Sequence, residues 1–249
     1  MNYNKFMSEP LVSVIIPSFN RFDFLKNAIN SVENQTYKNL EIIVINDCST
    51  DKRYYKNDFG ESVSVLNLET NQKEILGYIS AGHIRNFGLE TAKGKYVAFL
   101  DDDDIWFDNK IELQVRELEN SDYSFSCTEG LVGKGVFDQS KEYLLYNQER
   151  FYKKIAKKHK KNIFDISNFE FPDIFDFEFI KTHNSIVTSS VLVERKILDL
   201  IGGFRPIPTK NDYAPDYDCW LGILRISKCI YIKKPLFYYD ELHGSGRIW

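Results

Sequence analysis

Two nearly continuous apolar runs, Leu11-Val12-Ser13-Val14-Ile15-Ile16 and Glu41-Ile42-Ile43-Val44-Ile45, bracket a segment in which Leu25, Ala28, Ile29 and Val32 recur at helical spacing. A strand that alternates apolar and polar residues buries one face. A run that is apolar at almost every position needs cover on both, which is the condition of a parallel strand between two helix layers. The order strand, helix, strand is then a βαβ unit, because parallel neighbours need a crossover long enough to hold a helix. Pro17 is expected to end the first strand at the turn Ser18-Phe19-Asn20-Arg21, and the second ends in Asn46-Asp47-Cys48-Ser49-Thr50-Asp51. Binding residues in such sheets gather beyond the carboxyl ends of the strands, where both polar clusters fall.

Further elements follow the same logic. Val63 to Leu68 reads as a strand, Ile79 to Ala92 as a helix closed by Gly94, and Tyr96 to Leu100 as a buried strand. Ile111, Val115 and Leu118 mark another amphipathic helix, and Tyr123 to Cys127 a strand with which the parallel portion is expected to end. Later come a strand over Ser185 to Val193, the turn Gly202-Gly203-Phe204, Asp216-Tyr217-Asp218 before an apolar helix, and strands over Cys229 to Ile232 and Leu236 to Tyr239. Residues 133–181 lack a clean period. A helix there with Leu144, Gln148, Phe151 and Ile155 on one face would turn Lys153, Lys154, Lys157, Lys158, Lys160 and Lys161 outward. That basic face is either simply solvated or a peripheral contact for an anionic membrane or acceptor.

The strand Tyr96 to Leu100 runs directly into four aspartates, Asp101 to Asp104. Carboxylates crowded together raise one another's pKa, so they stay ionised only if a cation or several donors offset the repulsion. Hard oxygen ligands suit Mg²⁺ or Mn²⁺. The alternative is a solvated acidic loop or a helix start, where aspartates are favoured by the helix dipole.

With 249 residues, 43% of them apolar, and a net charge of −4, the chain suits a single α/β domain with a sizeable core and does not suit a nucleic-acid binder. No apolar run reaches the length of a membrane span, and Met1 to Pro10 lacks the apolar centre of a signal peptide, so a cytoplasmic protein is expected. Cys48, Cys127, Cys219 and Cys229 are widely spaced and are expected to be reduced thiols.

From Leu11 to Ser245 the chain resembles family 2 glycosyltransferases of the GT-A fold, a Rossmann-like, mostly parallel sheet flanked by helices. The resemblance is carried by an ordered set: Val12 to Arg21, Ile43 to Asp51, Arg85-Asn86-Phe87-Gly88-Leu89, Gly94 to Asp104, Gly202-Gly203-Phe204, Pro215 to Leu221, and Pro235 to Tyr239. It implies transfer of a sugar from a nucleotide diphosphate donor, a UDP-sugar in the first instance, with inversion at the anomeric carbon. Residues 11–127 would be the nucleotide-sugar half and 128–249 the acceptor half, the acceptor being a glycan, a protein or a lipid-linked sugar.

The resemblance also distributes roles. Pro17, Phe19, Asn20, Arg21, Asp47, Arg85, Asp101 and Asp102 match the donor site. Within it, Phe19 matches a stacking face for the base, Asp47 an acceptor for the imide N–H of uracil, and Arg85 a cation near the diphosphate. Asp101 and Asp103 match the two aspartates of the DXD motif. Asp103 is expected to ligate Mn²⁺ or Mg²⁺, and Asp101 or Asp102 to meet ribose or metal-bound water. His243 resembles a histidine that approaches the metal or diphosphate in some members, and Asp104 is expected to cap the next helix. Asp216 matches the general base, with Asp218 as its rival, and Trp220 would line the acceptor pocket or sit in the core. His83 and His183 receive no role.

Departures from the family pattern are Asn46 in place of an aspartate, Cys48 in place of a glycine, and Pro215 in place of a glutamate. Two rival readings remain: a non-catalytic nucleotide-sugar or glycan-binding module, and a sugar-phosphate nucleotidyltransferase. The second lacks a glycine-rich phosphate loop after the first strand.

Overall fold

A computed structural model describes residues 9–159, 169–208 and 214–242. The first half is a succession of strands and covering helices: β1 (Val12–Ser18), α1 (Phe22–Glu33), β2 (Leu40–Asn46), α2 (Arg53–Lys56), β3 (Val63–Asn67), α3 (Gln72–Leu76), α4 (Ala81–Thr91), β4 (Tyr96–Phe99), β5 (Ile105–Trp106) and α5 (Lys110–Glu119). The second half holds β6 (Phe125–Gly133), β7 (Leu144–Leu145), a π-helical turn (Tyr146–Arg150), α6 (Tyr152–His159), β8 (Ile174–Phe175), α7 (Phe177–Thr182), a 3₁₀ turn (Thr188–Ser190), β9 (Leu192–Glu194), α8 (Arg195–Ile201), α9 (Pro215–Ile223) and β10 (Cys229–Asp240).

One sheet joins them in the order β3-β2-β1-β4-β9-β6-β10-β5, with β7 added to β6 and β8 to β10. Its long ladders, β3 with β2, β2 with β1, β1 with β4 and β6 with β10, are parallel. The antiparallel pairings are two or three residues each. The chain winds outward from β1 to β3 and then returns to lay β4 on the other side of β1. That reversal opens a crevice at the carboxyl ends of β1 and β4, the place where ligands bind in open α/β sheets.

The continuous apolar runs are explained by two cores. Val12, Val14 and Ile16 of β1, with Ile42 and Val44 of β2 and Tyr96 and Ala98 of β4, pack on one side with α1 and α5. Ile15, Ile43, Ile45, Val97 and Phe99 pack on the other with α4, α8 and α9. Successive strand residues therefore feed opposite cores, and each fully buried Leu, Ile or Phe contributes about 1.5–3 kcal/mol. Trp220, fully buried against Phe99, Phe125 and Phe204, belongs to the second core rather than to an acceptor pocket. Gly82 lets α4 and α9 meet: a Cβ there would lie 2.8 Å from Cβ of Pro215.

Several boundaries differ from the sequence reading. β1 passes through Pro17 to Ser18. The Ile15 carbonyl serves the β4 side, binding Leu100, and the Ser18 carbonyl serves the β2 side, binding Asp47. By alternation, Pro17 faces the β4 side beyond the last paired residue of that ladder, so its missing N–H leaves no gap. The expected strand Ser185 to Val193 is a strand only from Leu192; Thr188–Ser190 form a 3₁₀ turn because their hydroxyls take other partners. The two expected C-terminal strands are one, β10, bulged around Pro235. The helix expected across Leu144 to Ile155 is interrupted because buried Glu129 accepts from the amides of Asn147 and Gln148, both at 3.0 Å. In α6 Ile155 and Ala156 are buried while Lys153, Lys154, Lys157 and Lys158 are exposed, as expected; Lys160 and Lys161 lie outside the described residues. All four cysteines are free. No helix among the described residues is long and apolar enough to cross a membrane.

Candidate active site

The acidic run leaves β4 at the crevice and is met there by groups from β1. Ser18 Oγ donates to Asp102 Oδ2 at 2.7 Å and lies 2.5 Å from the Tyr54 hydroxyl. Arg21 Nη1 stands 3.1 Å from both Asp102 Oδ1 and Asp103 Oδ2, with all three side chains nearly excluded from solvent. Arg21, expected on the donor, is thus the internal counter-ion of the run. Burial alone would lower its pKa, but the charges of Asp102 and Asp103 outweigh that and raise it. Asp101 is held by the guanidinium of Arg85, reaching in from α4. Arg85 is itself buried, lies over the Phe204 ring, and keeps an Nε with no hydrogen-bond partner among the described residues.

Among the described residues two arginines, Arg21 and Arg85, pair with the run's carboxylates. Asp102 is raised by burial, with Arg21 opposing. Asp103 is raised by burial and then by the charges of Asp102 and Asp101. Asp104 is raised well above the ordinary range by burial and by Asp103. It does not cap a helix, because β5 intervenes and α5 begins after Asn109. Instead it accepts from Ser189 Oγ at 2.5 Å and from the Asp240 amide at 3.1 Å.

This donor set fits a divalent cation of the hard kind. Asp101 and Asp103 present hard carboxylate oxygens at the mouth of the run, and Asp101 is the more open, its side chain 31% exposed against 7% for Asp103. Asp102, wholly enclosed by Ser18 and Arg21, is not available to ribose. Among the described residues no three His, Cys, Asp or Glu side chains form a protein-only cage. Mg²⁺ and Mn²⁺ are commonly held by one or two carboxylates, with substrate phosphates and water completing the shell. His243 lies outside the described residues.

The base-side residues are placed by the turns after β1 and β2. Phe19 is half-buried and joins neither core. Asn20 takes a left-handed backbone, φ 53°, and its Oδ1 accepts from the Thr50 amide at 2.8 Å, so it splices the two turns. Cys48 is also left-handed, φ 59°, which accounts for glycine being the family's residue at that position. Asp47 is buried, and its carboxylate accepts from the Gln72 amide at 2.8 Å and Asn71 Nδ2 at 2.9 Å; burial raises its pKa. A carboxylate so engaged retains lone pairs for a further donor.

Asp216 and Asp218 lie in the first turn of α9, opened by Pro215 at a position where its missing N–H is no loss. They have separate environments. Asp218 is buried and paired with Arg205, whose Nε donates at 2.6 Å. Asp216 is half-buried and, among the described residues, forms no ion pair; Thr188 Oγ1 donates to it at 3.5 Å. Burial raises the Asp216 pKa, Arg85 pulls it down and Asp101 pushes it up, so the acidic run and Asp216 share one electrostatic neighbourhood. Sequence reasoning missed Ser18, Tyr54, Thr188, Ser189 and the half-buried pair Tyr146 and Tyr239, whose rings meet at 5.3 Å. Burial raises the Tyr146 pKa first and the charge of Asp216 adds to it. The hydroxyl run Thr188-Ser189-Ser190 inside an apolar stretch was the available signal. A separate cavity of about 320 Å³ between α1, β5 and residues 136–139 contains none of these carboxylates.

Comparison with known proteins agrees with this geometry. The chain is 31% identical over 240 residues to an uncharacterized glycosyltransferase of Rickettsia typhi, covering 95% of this chain and 65% of that protein. It is 36% identical over 145 residues, 55% of each chain, to the Escherichia coli UDP-Glc:alpha-D-GlcNAc-diphosphoundecaprenol beta-1,3-glucosyltransferase WfgD. The chain therefore spans less than two thirds of either relative. Among solved structures, Staphylococcus aureus TarS 1–349 in complex with UDP-GlcNAc superposes with a TM-score of 0.61 at 19% identity, over 96% of this chain and 62% of that one. The Pyrobaculum calidifontis mannosyltransferase PcManGT, in complex with GDP-Man and Mn²⁺, gives 0.59 at 16% identity, over 94% and 58%. At those identities the likeness is one of fold, the GT-A fold. The family model described as glycosyl transferase family 2 matches residues 13–172, well over half of the sequence, and the chain belongs to that family.

Proposed function

We propose that this protein transfers a sugar from a UDP-sugar to an acceptor hydroxyl with inversion, assisted by Mn²⁺ or Mg²⁺, with Asp216 as general base. The observation that carries the reading is the meeting of Asp216 and the acidic run at one end of the sheet, bridged by Arg85 and the 188–190 turn. The relative that names a UDP-Glc donor and the TarS complex with UDP-GlcNAc support the choice of nucleotide.

In this reading residues 11–127 hold the donor. Phe19 offers a face to the uracil, Asp47 its remaining lone pairs to the imide N–H, and Arg85 a guanidinium to the diphosphate. Asp101 and Asp103 would hold the cation, which when bound supplies Lewis-acid stabilisation of the charge developing on the departing diphosphate. Asp216 accepts the proton of the acceptor hydroxyl as that oxygen bonds to the anomeric carbon on the face opposite the leaving group. The carbon–oxygen bond to the diphosphate breaks with its electron pair, and the transition state has oxocarbenium character. Burial lifts the Asp216 carboxylate towards the operating pH, which makes it a better base than an exposed aspartate. Residues 128–249 face the acceptor, and a lipid-linked sugar is the acceptor class that WfgD suggests.

The test is transfer from UDP-sugars by Asp216→Asn and Asp103→Ala. Asp216→Asn should retain UDP binding and lose transfer by at least about a hundredfold, the usual weight of a general base. Asp103→Ala should lose metal-dependent UDP binding. Turnover retained in both variants would remove the mechanism, and release of pyrophosphate from a nucleoside triphosphate, rather than of a nucleoside diphosphate from a nucleotide sugar, would replace transfer by nucleotidyl chemistry.

A further inference from the structure

One buried hydroxyl holds both ends of the acidic run. Ser189 Oγ donates to Asp104 Oδ2 at 2.5 Å and accepts from the Asp101 amide at 3.1 Å. A hydroxyl has one proton and two lone pairs, so this geometry uses it as donor and acceptor at once. Fixing the Asp101 amide fixes the point where the chain leaves β4, and fixing Asp104 sets where the run ends. The carboxylates of Asp101 and Asp103 are aimed by the stretch between.

The turn that carries Ser189 is braced independently. Its carbonyl accepts from Trp106 Nε1 at 2.7 Å, the Ser190 carbonyl accepts from Gln114 Nε2 at 3.0 Å, and Ser190 Oγ closes on the Val187 carbonyl at 2.6 Å. Below it the buried Nζ of Lys110 sits 4.1 Å from the Trp106 ring centroid. The preceding residue, Thr188, is the side-chain neighbour of Asp216. A rigid turn thus touches the acidic run with one residue and the candidate base with the next.

We propose that Ser189 is a positioning residue that sets the aim of the acidic run for a cation-bound nucleoside diphosphate. This rests on the donor reading above. The role is specific to the hydroxyl, not to the turn, and Ser190 provides the contrast, since among the described residues its hydroxyl bonds to a main-chain carbonyl and to no carboxylate.

The experiment is calorimetric titration of UDP into the purified protein in Mn²⁺ and in EDTA. The wild-type protein should bind UDP more tightly in Mn²⁺. Ser189→Ala should weaken binding in Mn²⁺ about tenfold, the order expected for losing a hydrogen bond to a charged group, and change it little in EDTA. Ser190→Ala should leave the ratio of the two affinities at the wild-type value. With a transferable donor, Ser189→Ala should raise the donor KM more than it lowers kcat. Equal weakening in both buffers, an equal effect of Ser190→Ala, or no effect of Ser189→Ala would overturn the proposal. A wild-type protein with no metal-dependent UDP binding would instead overturn the donor reading beneath it. If Ser189→Ala does not fold, Ser189→Cys preserves the volume with a weaker donor, and the same ratio decides.

Discussion

Arg21→Met is the substitution that most directly probes how the acidic run is held together. A single nitrogen, Nη1, serves Asp102 and Asp103 at 3.1 Å each, and the residue is 7% exposed. Removing one partner of a buried ion pair leaves the other charge uncompensated, at a cost of about 3–5 kcal/mol. For a domain of this length that corresponds to a fall in Tm of roughly 6–20 °C. The loss must depend on pH. Burial and neighbouring charge push the folded-state pKa of Asp102 to about 6 and of Asp103 to about 7, both above the ordinary value. An acid whose folded pKa is raised binds protons more tightly when folded, so its contribution favours folding at low pH and declines as pH rises through the folded pKa. Arg21 offsets that decline, and it has little to offset once the carboxyls are protonated. Thermal melts of both proteins in EDTA at pH 8.5 and pH 5.5 should show the full difference at the higher pH and a small one at the lower. Mn²⁺ should restore more stability to the variant than to the wild type. A difference equal at the two pH values, or below about 1 kcal/mol at pH 8.5, would refute the clamp, since a surface pair is worth no more than that.

Two further outcomes follow from the structure. His183 is held near a pKa of about 4 by burial and by Lys158 and Lys154; a depressed histidine contributes stability that is complete above its ordinary value and is lost as pH falls from about 6.5 towards 4, so acid melts of His183→Gln should fall less steeply over that window than wild type. In Gly82→Ala the new Cβ would press on Pro215, 2.8 Å away, and on Phe204; denaturant melts should show a loss of about 1–3 kcal/mol, and transfer should fall with it because Pro215 carries Asp216.

How much of this was legible in the sequence depends on the range of the interaction. β1, β2, β4 and α1 follow from periodicity because each residue's burial is set by its own strand or helix face. The delivery of four aspartates to a strand end was legible for the same reason. What the aspartates meet was not: Ser18 and Arg21 come from more than eighty positions away, and Ser189 from as far on the other side. The pairing of Arg21 with Asp102 and Asp103 was therefore not part of the sequence reading, which placed the residue at the donor. The stretch Ser185 to Val193 read as a strand because its residues are β-formers, whereas the hydroxyls of Ser189 and Ser190 take partners that a ladder would not supply. The sequence offered Asp216 and Asp218 with only a weighting between them; that Arg205 pairs with Asp218 was not legible, because the arginine comes from outside α9.

The position of β9 has a consequence for how the molecule assembles. The parallel set β3-β2-β1-β4 is complete in sequence by Phe99, yet the strand that bears the aspartates gains its second neighbour only from Leu192 to Glu194. The same short strand pairs with β6, so three residues late in the chain splice the early sheet to the late one. Until they arrive, β4 is an open edge with unmet amides and carbonyls, the kind of edge that recruits other chains. Because the Thr188–Ser190 turn enters immediately ahead of β9, closing the sheet and ordering the acidic run become one event, and a nascent chain cannot assemble this crevice before Thr188 to Glu194 have been made.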